Sequence, residues 1–113
     1  MSFKLDGKSF KAIDNSKNGT INGSTIMTFT SGNEVILGEY KGGTVIAGQV
    51  LAKWTSGSTL NMLYQGATDS GHIQAGKAAA KFESLADGKL KMSLDWQWLT
   101  GDLSKGESQW LEV

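Results

Sequence analysis

Six side chains carry the chemistry this sequence could perform: Glu39, Tyr64, Gln74, Trp96, Trp98 and Ser108. Trp96 and Trp98 are two residues apart, so on a strand both indoles share one face and offer a broad apolar wall to a ligand. Tyr64, Gln74 and Ser108 add hydroxyl and amide groups that can fix a polar group of that ligand. A buried carboxylate, Glu39 or Glu112, would have its pKa raised and could serve as a general base. Each has a plainer reading. The tryptophans suit an ordinary core, Tyr64 and Gln74 suit a hydrogen-bonded pair, and Glu39 suits a lysine partner at a rim. Asp102 and Ser104 suit caps of their own turn.

Other chemistries are excluded by composition. The chain has no Cys and one His, His72, which rules out disulfides, thiol catalysis and a His/Cys zinc site. Its eleven basic residues are all Lys and balance eleven acidic ones. That balance points to no nucleic-acid or anionic-membrane partner, and the lack of Arg removes the usual fork for phosphate or carboxylate. The residues imply no cofactor. No apolar run has the length of a signal peptide or a membrane span, so the expected compartment is the cytoplasm.

The elements that must position these side chains are strands. Polar and apolar residues alternate through Lys89–Thr100, with Leu90, Met92, Leu94, Trp96 and Trp98 on one face. Seven more candidates read as Ser9–Asp14, Ser24–Thr30, Glu34–Lys41, Thr44–Trp54, Thr59–Gly66, His72–Ser84 and Glu107–Val113. Turn residues separate them, among them Asn-Gly at 18–19 and 22–23, Gly42-Gly43 and Gly101–Gly106. One all-β domain over residues 1–113 is expected, with at most one short helix; the nearest to helical periodicity is Gln74–Phe82, which is short, uncapped and carries Gly76. Short sequential hairpins give an antiparallel meander, and eight such strands close into an up-and-down barrel; a β-sandwich is the alternative.

Loop lengths predict the register. A loop at Ala86-Asp87-Gly88 sets Phe82 against Met92, Ala80 against Leu94, Ala78 against Trp96 and Gly76 against Trp98. The loop at Ser56–Ser58 sets Trp54 against Leu60 and Val50 against Tyr64, with Tyr64 then facing Gln74. Gly42-Gly43 sets Glu39 against Ile46 and turns Glu39 inward, while Ser31–Asn33 sets Phe29 against Val35. On the far side Trp98 meets Ser108 and Trp96 meets Trp110, and Phe10 and Ala12 close the ring. One end then collects Phe29, Val35, Trp54, Leu60, Phe82 and Met92 and is plugged. The other collects Thr25, Glu39, Tyr64, Gln74, Trp98, Thr100 and Ser108 and resembles the mouth of a binding barrel.

Trp96-Gln-Trp98 followed by Gly101-Asp-Leu-Ser-Lys-Gly-Glu-Ser108 resembles a small bacterial family of about this length labelled N-acetylglutamate synthase. Phe10–Ile13, Asn15–Gly19, Tyr40 with Gly42-Gly43, and Gly48 are similar too, so the likeness spans nearly the whole chain. The resemblance implies an acetyltransferase using acetyl-coenzyme A and glutamate, and it assigns no catalytic residues. Transferases of that activity seat a pyrophosphate at a helix N-terminus, which this sequence does not supply. In architecture the expected barrel is similar to the calycin group of lipocalins, fatty-acid-binding proteins and avidins, although the lipocalin Gly-x-Trp signature is absent. Three readings follow: a barrel binding a small molecule at its mouth, an enzyme using an inward carboxylate, or an assembly module. The last would use Ile36, Tyr40, Val45 and Leu51 as an outer patch for a homodimer.

Overall fold

The computed structural model describes residues 4–15, 23–31, 35–101 and 103–113. The Asn-Gly turn at 18–19, Asn22, the centre of the Ser31–Asn33 loop and Asp102 lie outside them. Eight strands follow in order: β1 (Ser9–Asn15), β2 (Ile26–Ser31), β3 (Ile36–Gly42), β4 (Val45–Trp54), β5 (Thr59–Thr68), β6 (Ile73–Ser84), β7 (Leu90–Trp98) and β8 (Lys105–Glu112). Each pairs antiparallel with the next, and β1 pairs with β8, so the sheet closes as an up-and-down barrel. Among the described residues there is no helix. Closure satisfies the edge strands that an open sheet would leave bare.

The β6–β7 register is the expected one, with Ala78 opposite Trp96 and Gly76 opposite Trp98. Its loop works as the composition demands. Gly88 holds φ 87°, its N–H donates to the Leu85 carbonyl (3.0 Å), and the Leu85 N–H donates to the Lys89 carbonyl (2.8 Å). A residue with a side chain is disfavoured at such a φ. The β4–β5 register also matches, with Trp54 opposite Leu60 and Val50 opposite Tyr64.

Four expected pairings are corrected. Tyr64 faces Gly76 rather than Gln74, which lies opposite Gly66. The loop there is Asp69-Ser70-Gly71, with Gly71 at φ 87° and its N–H on the Thr68 carbonyl, one residue later than expected. Across β7 and β8, Met92 meets Trp110, Leu94 meets Ser108 and Trp96 meets Gly106, because β8 begins at Lys105. Both shifts keep the inward face. The third does not. Two successive residues of β4, Ile46 and Ala47, point outward, a bulge that shifts the pairing with β3 and β5 by one residue. Glu39 therefore pairs with Gln49 on the outer face, and Tyr40 turns inward opposite Gly48. Phe29 consequently meets Gly38 instead of Val35.

The interior has two ends. At the closed end Phe10 packs edge-on against Phe29 and Phe82 (centroids 5.7 and 5.9 Å), and Trp54 lies 5.5 Å from Phe82. Ile36 takes the place expected of Val35, being 7% exposed. Residues 4–8 turn across this end, with the Gly7 N–H on the Phe29 carbonyl and Leu5 fully buried. At the other end Tyr40, Tyr64, Trp98 and Trp96 form a chain of rings with successive centroids 6.2, 5.8 and 5.6 Å apart. Among the described residues the seam between β1 and β2 is the shortest, with Ser9, Phe10 and Lys11 in register with Thr28, Met27 and Ile26, flanked by backbone hydrogen bonds of Gly7 and Lys8 with Phe29 and of Ala12 with Thr25.

Candidate functional site

Glycines set the posture of the rings at the open end. Gly48 faces Tyr40, Gly76 faces Tyr64 and Gly106 faces Trp96 across the strands. At each, a Cβ would run into the facing ring, and at Gly66 it would come 2.6 Å from the Tyr40 hydroxyl. The rings thus lie down on bare backbone and follow the barrel wall, an arrangement that shields the glycine and fixes the ring. Sequence spacing alone does not reveal such pairs, because they depend on register.

Between these rings lies a small cavity of about 40 Å³. Tyr40, Tyr64, Trp96, Trp98, Trp110 and Ser108 line it, with Met27, Met62, Leu94 and Asn15 completing the wall. That is room for roughly three or four waters, at about 10–15 Å³ of free volume each. The Ser108 hydroxyl accepts the Trp110 Nε1–H at 2.9 Å inside the barrel, and its own O–H is left to donate. Burial pushes the Tyr40 phenol well above its ordinary pKa. Burial does the same to Tyr64, and the neighbouring Tyr40 adds to it. Both are neutral hydrogen-bond donors at physiological pH, and among the described residues no charged side chain lines the cavity.

Of the six residues expected in the site, Tyr64, Trp96, Trp98 and Ser108 meet at this cavity. Gln74 points inward nearer the rim, opposite Gly66, and its Oε1 is a buried acceptor with no hydrogen bond among the described residues. Glu39 is not in the site; its side chain is exposed on the outer face. Tyr40 replaces it, together with Trp110, Met27 and Asn15, and the signal that could have found Tyr40 is Gly48.

Glu112, the other carboxylate considered as a base, sits at the closed end. Its Oε2 pairs with Lys8 Nζ at 2.9 Å and its Oε1 accepts the Leu90 N–H at 2.9 Å. Burial opposes its ionisation, but the Lys8 and Leu90 hydrogen bonds and the Lys8 and Lys89 charges outweigh that and hold the carboxyl below its ordinary pKa. His72 is exposed at the rim, where its Nδ1 lies 3.0 Å from the Ser70 hydroxyl. Among the described residues no group of His, Cys, Asp and Glu is placed to hold a metal ion.

A larger depression, about 760 Å³, lies outside the barrel on the face of β3 to β6. The patch expected for a homodimer is corrected here. Ile36, Tyr40 and Val45 are 7, 6 and 5% exposed and point into the core, and only Leu51 of that set stands on the outer face.

Comparison with known proteins agrees with this geometry. No curated protein and no solved structure matches the chain. The model of one family, described as avidin-like protein, matches residues 3–113. A match of that extent, on an eight-stranded barrel closed at one end and aromatic at the other, makes this chain a member of the avidin-like protein family.

Proposed function

We propose that the barrel binds a small molecule through its open end, inserting an uncharged aromatic or aliphatic group among Tyr40, Tyr64, Trp96 and Trp98. The observation that carries this reading is the cavity wall: aromatic faces and neutral hydrogen-bonding groups surround it, and among the described residues no charge lines it. Desolvating an anion there without a cation to meet it would be costly, so a carboxylate or phosphate on the ligand would stay at the mouth. The Ser108 and tyrosine hydroxyls and the Gln74 amide offer hydrogen bonds to a polar group on the inserted part.

The cavity is smaller than the roughly 300–1,000 Å³ of ordinary ligand pockets, so entry displaces the water it can hold and requires a ring to shift. Tyr64 is the ring placed to move, being only partly buried while Tyr40, Trp96, Trp98 and Trp110 are buried. The enzyme reading draws less support. Neither Glu39 nor Glu112 reaches the cavity, and among the described residues there is no helix N-terminus to seat the pyrophosphate of acetyl-coenzyme A.

The test uses proteins that keep a single tryptophan, Trp98 or Trp54, the others replaced by Phe. Each is titrated with a panel of small apolar and amphipathic compounds that includes biotin. Binding at the open end gives a saturable fluorescence change from Trp98 and none from Trp54. Tyr64→Phe or Gln74→Ala should weaken it by roughly 0.5–1.5 kcal/mol, as expected for one hydrogen bond. Silence across the panel, with Trp98 as shielded from aqueous quenchers as a fully buried indole, would mean a filled barrel and end the proposal.

A further inference from the structure

The two ends of the barrel differ outside as well as inside. Five large apolar side chains stand exposed around the open mouth: Ile13, Ile46, Ile73, Leu99 and Leu103, between 48 and 76% exposed. Each lies at or within two residues of a strand end on that side, and together they come from β1, β4, β6 and the connection from β7 to β8. By the same measure the closed end shows Leu37 and Val113, set among the exposed charges of Lys4, Asp6, Lys53, Glu83, Asp87 and Lys89. Single exposed leucines on a surface need no explanation, but a collar of apolar side chains around one opening does.

Local irregularities of the backbone put three of these side chains outside. Among the described residues Ile13 and Ile46 have no ladder partner, because each is the extra residue of a bulge, one in β1 and one in β4. Each turns outward beside a second outward residue. Leu103 holds φ 59°, a left-handed conformation that glycine takes freely and leucine does not, and its side chain is exposed there. All three departures from regular geometry set an apolar side chain into solvent at the mouth.

We infer that the open end docks on the surface of a neutral lipid bilayer, with this collar among the headgroups and the mouth facing the lipid. Shape and charge select that partner. The collar is spread around the ring from β1 through β4 and β6 to the β7–β8 connection, so a plane meets it as a whole, whereas a folded protein would need a matching ring. Around the mouth Asp14 and Asp69 balance Lys41 and Lys105, so among the described residues the rim has no net charge to draw anionic lipid or a charged protein. The apolar stems of the two lysines can lie along the collar while their ammonium groups stay with the headgroups. Lys77, Lys91, Asp95 and Glu107 on the outer wall keep the rest of the barrel in water, so the molecule sits on the bilayer by one end and does not span it. Roughly 500 Å² of exposed apolar surface is available to the contact, which suits reversible attachment. The docking stands on the collar alone and does not require that the cavity hold a ligand. Where both hold, an apolar compound dissolved in the lipid reaches the cavity without crossing water.

Flotation of the full chain with phosphatidylcholine vesicles, no other ligand being added, tests this. The expected result is co-flotation that changes by less than about twofold between about 0.05 and 0.5 M salt, or when phosphatidylserine is included. Ile46→Asp combined with Ile73→Asp lowers the partition coefficient by about tenfold or more, with circular dichroism unchanged. Leu51→Asp, which charges the middle of the outer wall, leaves it as it is. Phosphatidylcholine brominated on its acyl chains quenches the protein that keeps only Trp98 more strongly than the one that keeps only Trp54. A chain that stays out of the vesicle fraction, or binding that needs phosphatidylserine and is lost in salt, would overturn the inference. So would an equal loss from Leu51→Asp, or equal quenching of the two tryptophans. The titration with small compounds is run without vesicles, so either proposal can fail while the other stands.

Discussion

The two ends of this barrel hold similar numbers of aromatic rings and use them in opposite ways. At the closed end Phe10, Phe29, Trp54 and Phe82 pack on one another and on Leu5, and this cluster carries no hydroxyl. At the open end Tyr40, Tyr64 and Trp96 lie against Gly48, Gly66, Gly76 and Gly106, with their polar atoms toward the cavity or the rim. What differs is how each ring meets the floor beneath it. At the closed end Phe29 also faces a glycine, but its ring would stand 3.2 Å from a Cβ on Gly38, whereas a Cβ on Gly48, Gly76 or Gly106 would run into the ring lying on it. One composition therefore yields a plug and a lining.

The largest effect that separates the two ends is truncation at the plug. Phe82→Ala, at a position 2% exposed, should cost about 3–5 kcal/mol in urea unfolding, whereas Tyr64→Phe should cost less than about 1.5 kcal/mol. Comparable losses at the two sites would mean that the open end is packed as tightly as the plug. Next come the glycines. Gly76→Ala places a methyl in the Tyr64 ring and should cost about 1–3 kcal/mol, as should Ala78→Leu against Trp96. Ala79→Leu on the outer face should change stability by less than about 0.5 kcal/mol, and a reversed order of Ala78 and Ala79 would invert every inward assignment.

Extremes of pH sharpen the contrast without any large mutation. The tyrosines have raised folded pKa values, so their contribution is complete below the ordinary phenol pKa of 10.0 and is lost as pH rises above it. Stability should fall in strong base, and replacing Tyr40 and Tyr64 by Phe should flatten that limb. Glu112 has a lowered folded pKa, so its contribution is present above the ordinary value of 4.5 and is lost as pH falls below it. Glu112→Gln should cost about 0.5–1 kcal/mol at neutral pH and remove part of the acid limb. Alkali would then loosen the mouth, and acid the plug.

Sequence patterning reached the barrel and the inward faces of most strands for a physical reason. Alternation survives any register shift by an even number of residues, and the misplacements at β5–β6 and β7–β8 were of that kind. The Gly71 loop repeats the geometry of the Gly88 loop and could have been placed the same way. What was not legible was the β4 bulge. Ile46 and Ala47 are apolar and small enough to suit either face, so nothing in their types marks two successive outward positions. That one extra residue turned β3 over, moving Glu39 out of the site and Tyr40 into it. Leu5 was missed for a different reason: it precedes the first strand, and burial outside regular alternation leaves no period to detect.

The short seam between β1 and β2 gives the closed barrel a preferred place to open. Among the described residues three ladder positions and the flanking bonds of Gly7, Lys8 and Ala12 join β1 to β2, whereas nine positions register Trp54 through Val45 against β5. Deuterium should therefore enter along β1 and β2 well before it reaches β5 and β6, through partial opening rather than global unfolding. Opening there bares two strand edges at once, each with its donors and acceptors set out at sheet spacing. A crowded solution of partly opened chains would zip those edges together, so exchange of β1 between neighbours, rather than contact between intact walls, is the route by which this protein would begin to aggregate.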